Sequence, residues 1–181
     1  MIRIVITSAL AVLLVSCANK VDMPRGTSEG HRSARLIERN PHSTISDPTE
    51  RKVHQMIQRS LERQFEAKGL GWGKGDADLV VAYMVIYQEP AMTASFDDYF
   101  GYGRDGMQIS ERAHDVGVLE SKRPDYFNSA AIVVDVIDAR TNELIYRNYA
   151  QGDVVRGVSD AQRSSRIDGA VAQALSEFFG G

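Results

Sequence analysis

The chain has 181 residues, with 21 Lys and Arg against 24 Asp and Glu, a formal net charge of −3 at pH 7 and a single cysteine. That length holds one ordinary domain with a real core and little more. The mild acidity excludes nucleic acid as a main partner, which would call for a basic face, and a lone thiol cannot close a disulfide within its own molecule.

The first sixteen residues have the parts of a secretory signal. Arg3 supplies a positive start, and Ile4 to Val15 form a twelve-residue apolar stretch broken only by Thr7 and Ser8. As a helix that stretch spans about 18 Å, against a hydrocarbon core of about 30 Å, so it suits a removable signal better than a membrane span. Leu14-Val15-Ser16-Cys17 resembles the lipobox of bacterial lipoproteins: an apolar residue, a tolerant position, a small residue, then cysteine. The resemblance implies cleavage between Ser16 and Cys17, a diacylglyceryl thioether on Cys17, and acylation of the new amino group, with palmitate as an expected chain. A thiolate is the side-chain nucleophile that such chemistry needs. Each buried methylene adds about 0.8 kcal/mol, so two or more chains anchor stably. Neither Ala18 nor Asn19 is aspartate, so the expected location is the outer membrane, facing the periplasm.

Residues 17–33 then read as the lipidated cysteine and a flexible tether, carrying Pro24, Gly26, Thr27, Ser28 and Gly30. Residues 34–181 read as one domain. Ala34 to Glu38 is expected as a short edge strand. Asp47-Pro48-Thr49-Glu50 starts a helix, with Asp47 as N-cap and Pro48 at the first helical position. Val53, Met56, Ile57, Leu61 and Phe65 follow at three- and four-residue spacing as one apolar stripe, and Gly69 ends the element. Ala77 to Tyr87 is apolar on both faces and predicts a central strand covered twice. Ala130 to Asp138, a turn at Ala139 to Glu143, and a return from Leu144 to about Gly152 predict an antiparallel hairpin. Ser159 or Asp160 caps a last helix, whose Ile167, Val171, Leu175 and Phe178 share a face. The order predicts an α+β fold: an antiparallel β-sheet with two helices packed on one face.

With these elements placed, the chain resembles the bacterial lipoprotein family catalogued as domain of unknown function 4136, over roughly Asn40 to Phe179. Four stretches carry the resemblance: "LERQFEAKGLGW", "DADLVVAYMV", "IVVDVIDARTNELIYRNYAQG" with its D-x-x-T-x-x-L-x-(aromatic)-R turn and return, and "ALSEFF". The sequence departs from the family at Tyr146, where tryptophan is usual, and in lacking a recognisable tyrosine-tryptophan strand before the first helix. The resemblance implies an envelope lipoprotein and supplies no catalytic residues.

Residues 88–129 separate two strong strands, and loops of that length without structure of their own are uncommon and often functional or disordered. Within it, "SFDDYFGYGRDG" sets Phe96, Tyr99, Phe100 and Tyr102 among glycines and aspartates. Such rings suit docking onto an envelope protein or stacking on a peptidoglycan sugar; alternatively they fold back over the second face of the Ala77–Tyr87 strand. Asp97 and Asp98 are adjacent and read as solvated loop, and Asp76 and Asp78 as strand-start punctuation. His31, His42, His54 and His114 have no zinc-ligand spacing, so neither metal nor cofactor is expected. Arg156, Arg163 and Arg166 read either as a basic patch for peptidoglycan or lipid phosphates or as a solvated helix face. The expected role is a non-enzymatic interaction or structural module, touching the membrane through its lipid anchor. Two alternatives stand beside it. One is a small envelope hydrolase with an unrecognised site. The other is a carrier of small apolar ligands, in a void lined by Val80, Met84 and Val134.

Overall fold

The structure, a computed structural model, describes residues 23–38, 47–87, 109–111, 114 and 129–180. The chain runs β1 (Ser33–Leu36), α1 (Pro48–Ala67), β2 (Gly71–Gly73), β3 (Leu79–Tyr87), β4 (Ser129–Asp138), β5 (Glu143–Asp153) and α2 (Asp160–Leu175). Among the described residues these strands form one five-stranded sheet in the order β2-β1-β3-β4-β5. It is an α+β fold, with the expected antiparallel hairpin extended to β3-β4-β5. The sheet as a whole is mixed, because β1 pairs parallel with both β2 and β3. Parallel strands need a crossover, and α1 supplies it between β1 and β2. The strand expected at the sheet edge over residues 34–38 is therefore interior; the edge is the three-residue β2, which carries no periodicity to read.

Local chemistry sets the element ends. The Asp47 carboxylate accepts from the amides of Thr49 at 2.6 Å and Glu50 at 3.0 Å, starting α1. Gly69, at φ +81°, reverses the chain after α1, and the Leu70 amide reaches back to the Phe65 carbonyl. Asp138 accepts from the amides of Arg140 and Thr141, and Asn142 adopts φ 57°, closing the β4–β5 turn. Ser159 and Gln162 form a capping box at the start of α2. Asp78 is punctuation of a specific kind: its carboxylate accepts from the Arg32 and Ser33 amides and so fastens the start of β1 beside β3.

Both faces of β3 are buried. One face packs on α1 and α2. The other carries Val80, Ala82, Met84, Ala131 and Val133, all buried, and Ile109 of the long insert is buried in the core as well. On this second face Asp135 sits directly opposite Arg147, 2% and 9% exposed, in a two-pronged guanidinium–carboxylate pair. Burial raises the Asp135 carboxyl above its ordinary range, and the Arg147 hydrogen bonds and charge draw it back.

The segment expected as a tether up to residue 33 is docked well before that point. The Gly26 amide donates to the Ile145 carbonyl at 2.7 Å, the Arg147 amide to the Pro24 carbonyl at 3.0 Å, and the Ser28 amide to the Phe178 carbonyl at 2.9 Å. A Cβ on residue 26 would lie 2.5 Å from the Ile145 oxygen, so only glycine fits this approach. The strap pairs part of the exposed edge of β5, next to the irregularity between Val136 and Ile137.

Candidate functional site

Strand register decides where the helices can close onto the sheet. On the helix face, the rows Val81–Val136–Tyr146 and Tyr83–Val134–Asn148 carry large side chains. Their hydroxyls reach across the layer. Tyr146 donates to the Ala174 carbonyl of α2 at 2.6 Å. The Tyr83 hydroxyl lies 2.9 Å from His54 Nδ1 and accepts from Gln58 at 3.2 Å, both on α1. His54 is 2% exposed, and burial lowers its pKa to about 4, so the ring is neutral at physiological pH. Phe65, Trp72, Phe178 and Phe179 fill the same end, with ring centroids between 5.1 and 6.0 Å apart.

The next rows toward the opposite end are Val85–Ile132–Ala150 and Tyr87–Ala130–Gly152. On β4 and β5 alanine and glycine take the place of larger side chains, Tyr87 keeps its ring on β3, and Ala170 faces them from α2. The result is a cavity of about 200 Å³ between sheet and helices. Val53 and Ile57 wall it from α1 and Ile167 from α2. A Cβ added to Gly152 would meet nothing within 4 Å, consistent with open space above it. Both helices begin at this end, as the Lys52–Asp160 and Arg63–Asp168 ion pairs between them show.

The mouth is built by the loop from Asp153 to Val158 and the first turns of α2. Val155, 43% exposed, is the exposed large hydrophobic side chain among the described residues. Arg163 and Arg166 stand one turn apart on α2, and both line the cavity. Arg166 donates to the Asp153 carbonyl at 2.9 Å. Arg163 lies 3.5 Å from Asp160, whose carboxylate also holds Lys52 at 3.1 Å. An apolar chamber with two guanidinium groups at its rim can hold an apolar body and fix a polar head.

Several sequence expectations meet this geometry. Arg163 and Arg166, but not Arg156, line the cavity; Arg156 is exposed on the adjoining loop. A void does lie between sheet and helices, but Val80 and Met84 point to the other face and Val134 lies a row away. His54 and Ser60 join Ile57, Leu61 and Phe65 on the buried face of α1, whereas Met56 is only half-buried. No apolar pattern marks His54; its spacing of three from Ile57 is the one signal the sequence offers. Ser16 and Cys17 lie outside the described residues, as do Asp97, Asp98 and the rings Phe96, Tyr99, Phe100 and Tyr102. Among the described residues no group of three or more His, Cys, Asp or Glu side chains is placed to hold a metal ion. No helix among them is long and apolar enough to cross a membrane.

Comparison with solved structures finds distant likenesses. A point variant of the PelC dodecamer from Paraburkholderia phytofirmans aligns at 12% identity over 88% of this chain and 95% of that one, with a TM-score of 0.43. The PelC dodecamer from the same organism aligns at 13% identity over 86% and 91%, with a TM-score of 0.40. A PDZ domain protein from Parabacteroides distasonis aligns at 14% identity over 79% of this chain and 31% of that one, at 0.39. No curated protein matches the sequence. The family described as "Domain of unknown function (DUF4136)" matches residues 37–178, from just after β1 to just beyond α2, and the chain belongs to that family.

Proposed function

We propose that the protein is a non-enzymatic ligand-binding module, held at the periplasmic face of the outer membrane by acyl chains on Cys17. The observation that carries the binding reading is the apolar cavity between helices and sheet. An apolar cavity of about 150 Å³ takes a benzene molecule, so about 200 Å³ takes roughly eight carbons. At about 0.8 kcal/mol per methylene, burying them is worth roughly 6 kcal/mol before the cost of immobilising the ligand. The non-enzymatic reading draws on where the buried polar groups are used: His54 is tied to Tyr83, and Asp135 to Arg147, both in packing layers.

Anchoring rests on the lipobox at Leu14 to Cys17, and the strap gives it a geometric consequence. Among the described residues chain contacts begin at Pro24, so at most six residues separate Cys17 from the folded body, and the seven Cα–Cα steps between them reach no more than about 25 Å. The domain would therefore ride close to the bilayer. Fractionation of cells expressing the full chain tests this. The wild-type protein is expected in the membrane fraction at a mass exceeding that of its polypeptide. Cys17→Ser should be recovered without the added mass and largely outside the membrane. A wild-type product that keeps residues 1–16 and bears no acyl mass would refute the anchor.

A further inference from the structure

We infer that the cavity takes a single-chain anionic amphipath, its alkyl chain between sheet and helices and its phosphate or carboxylate at Arg163 and Arg166. The inference rests on the binding reading above and adds the chemistry of the head. Depth sets the tail: about 200 Å³ of apolar space suits roughly eight carbons and excludes a bulky ring system. The rim sets the head. Arg163 and Arg166 are one helical turn apart, so both project from one side of α2, and both line the opening. Arg166 uses one guanidinium nitrogen on a backbone carbonyl, not on a carboxylate, which leaves its charge uncompensated by that contact. Arg163 shares Asp160 with Lys52 and holds it at the longer distance, 3.5 Å against 3.1 Å. Arg163 and Arg166 are the basic side chains that line this opening, against the carboxylate of Asp153, while Glu50 and Asp47 act on Tyr87 on its β3 side. A planar guanidinium pair matches a phosphate or carboxylate in both charge and hydrogen-bond geometry. Val155, exposed at the lip, lies where the first carbons below the head would pass.

Calorimetric titration of the purified full chain, with probes kept below their micelle concentrations, tests this. Octyl phosphate, octanol, octyltrimethylammonium and inorganic phosphate share either the chain or the charge. Octyl phosphate is expected to bind about tenfold tighter than octanol, with the ammonium weaker still and inorganic phosphate giving no measurable heat. The double variant Arg163→Gln/Arg166→Gln should bind octanol as before and reduce the preference for octyl phosphate to less than threefold. Gly152→Ile places a side chain in the mouth where a Cβ meets nothing, in a strand that favours β-branched residues, and should abolish binding of both chains while folding normally. Equal binding of octanol and octyl phosphate, or a preference that survives loss of both arginines, overturns the anionic assignment alone. Failure of every alkyl probe to bind, or binding unchanged by Gly152→Ile, overturns the cavity reading beneath it. Inorganic phosphate binding as tightly as octyl phosphate would also overturn the inference, placing the anion on the surface with no role for the chamber.

Discussion

Asp135→Leu is expected to destabilise the domain by about 3–5 kcal/mol, because it breaks a buried ion pair from one side only. Removing the carboxylate takes two hydrogen bonds and the counter-charge of Asp135 from a guanidinium buried in the layer formed by Val80, Ala82, Met84 and Val133. Arginine cannot shed its proton there. The reverse change, Arg147→Met, should cost less, because the stranded carboxyl can neutralise itself. Burial already raises the Asp135 pKa, and without Arg147 nothing draws it back. A carboxyl whose folded pKa lies above its unfolded value contributes stability at low pH and loses it as pH rises through the folded pKa. Arg147→Met should therefore be closer to wild type in acid than at pH 7. The double variant Asp135→Leu/Arg147→Met should recover most of the loss, since an apolar pair of similar volume suits this layer. Urea midpoints report all three. A cost for Asp135→Leu under about 1 kcal/mol would contradict this, showing the Arg147 guanidinium satisfied without the Asp135 carboxylate.

The second large effect is a loss of stability on acidification through His54. Its folded pKa of about 4 lies below the ordinary value of 6.5, so folding favours the neutral ring. The linked stability is fully present above pH 6.5, declines as pH falls, and is exhausted below about pH 4; its full size is about 3 kcal/mol. Asp47, Asp78 and Asp138 are also lowered, chiefly by the amides of Glu50, Arg32 and Thr141 respectively. Their contributions are lost at lower pH than the onset for His54, because their ordinary value is already 3.8. Asp135 and Glu50, both raised by burial, gain stability as pH falls and act in the opposite sense, so the decline between about pH 6.5 and 4.5 belongs to the histidine. His54→Asn keeps a nitrogen near the Tyr83 hydroxyl and cannot titrate; it should flatten the stability profile over that window. A profile as steep as wild type would show that the charged ring is tolerated in place.

Much of the architecture is legible in the sequence. The β3 and β4 runs announce buried strands because apolar residues occupy both faces. The Asp47-Pro48 start, the Asp138 turn and the Ser159 cap are local chemistry, complete within four or five residues. What the sequence hides is non-local. β2 is three residues long, too short for any period, and its parallel partner β1 lies across α1. His54 is buried because a tyrosine from another element waits for its ring. Pro24–Gly26 reads as tether because its hydrogen-bond partners are on β5, more than a hundred residues away. The cavity is the least legible feature. Ala130, Ala150, Gly152 and Ala170 are ordinary taken separately, and only the register of β4 on β5, with α2 above, gathers them into one space. The arginines read as a surface patch for the same reason: their spacing is visible, but the chamber beneath them is not.

Ligand entry between helices and sheet, at the end where the side chains are small, is the central claim. Isoleucine methyl spectra of the full chain during titration with octyl phosphate address it directly. The resonances of Ile57, Ile132 and Ile167, which line the cavity, should move together and saturate, while those of Ile137 and Ile145 stay in place. Methyl shifts confined to Ile137 and Ile145, or no saturable shift at Ile57, Ile132 and Ile167, would contradict it.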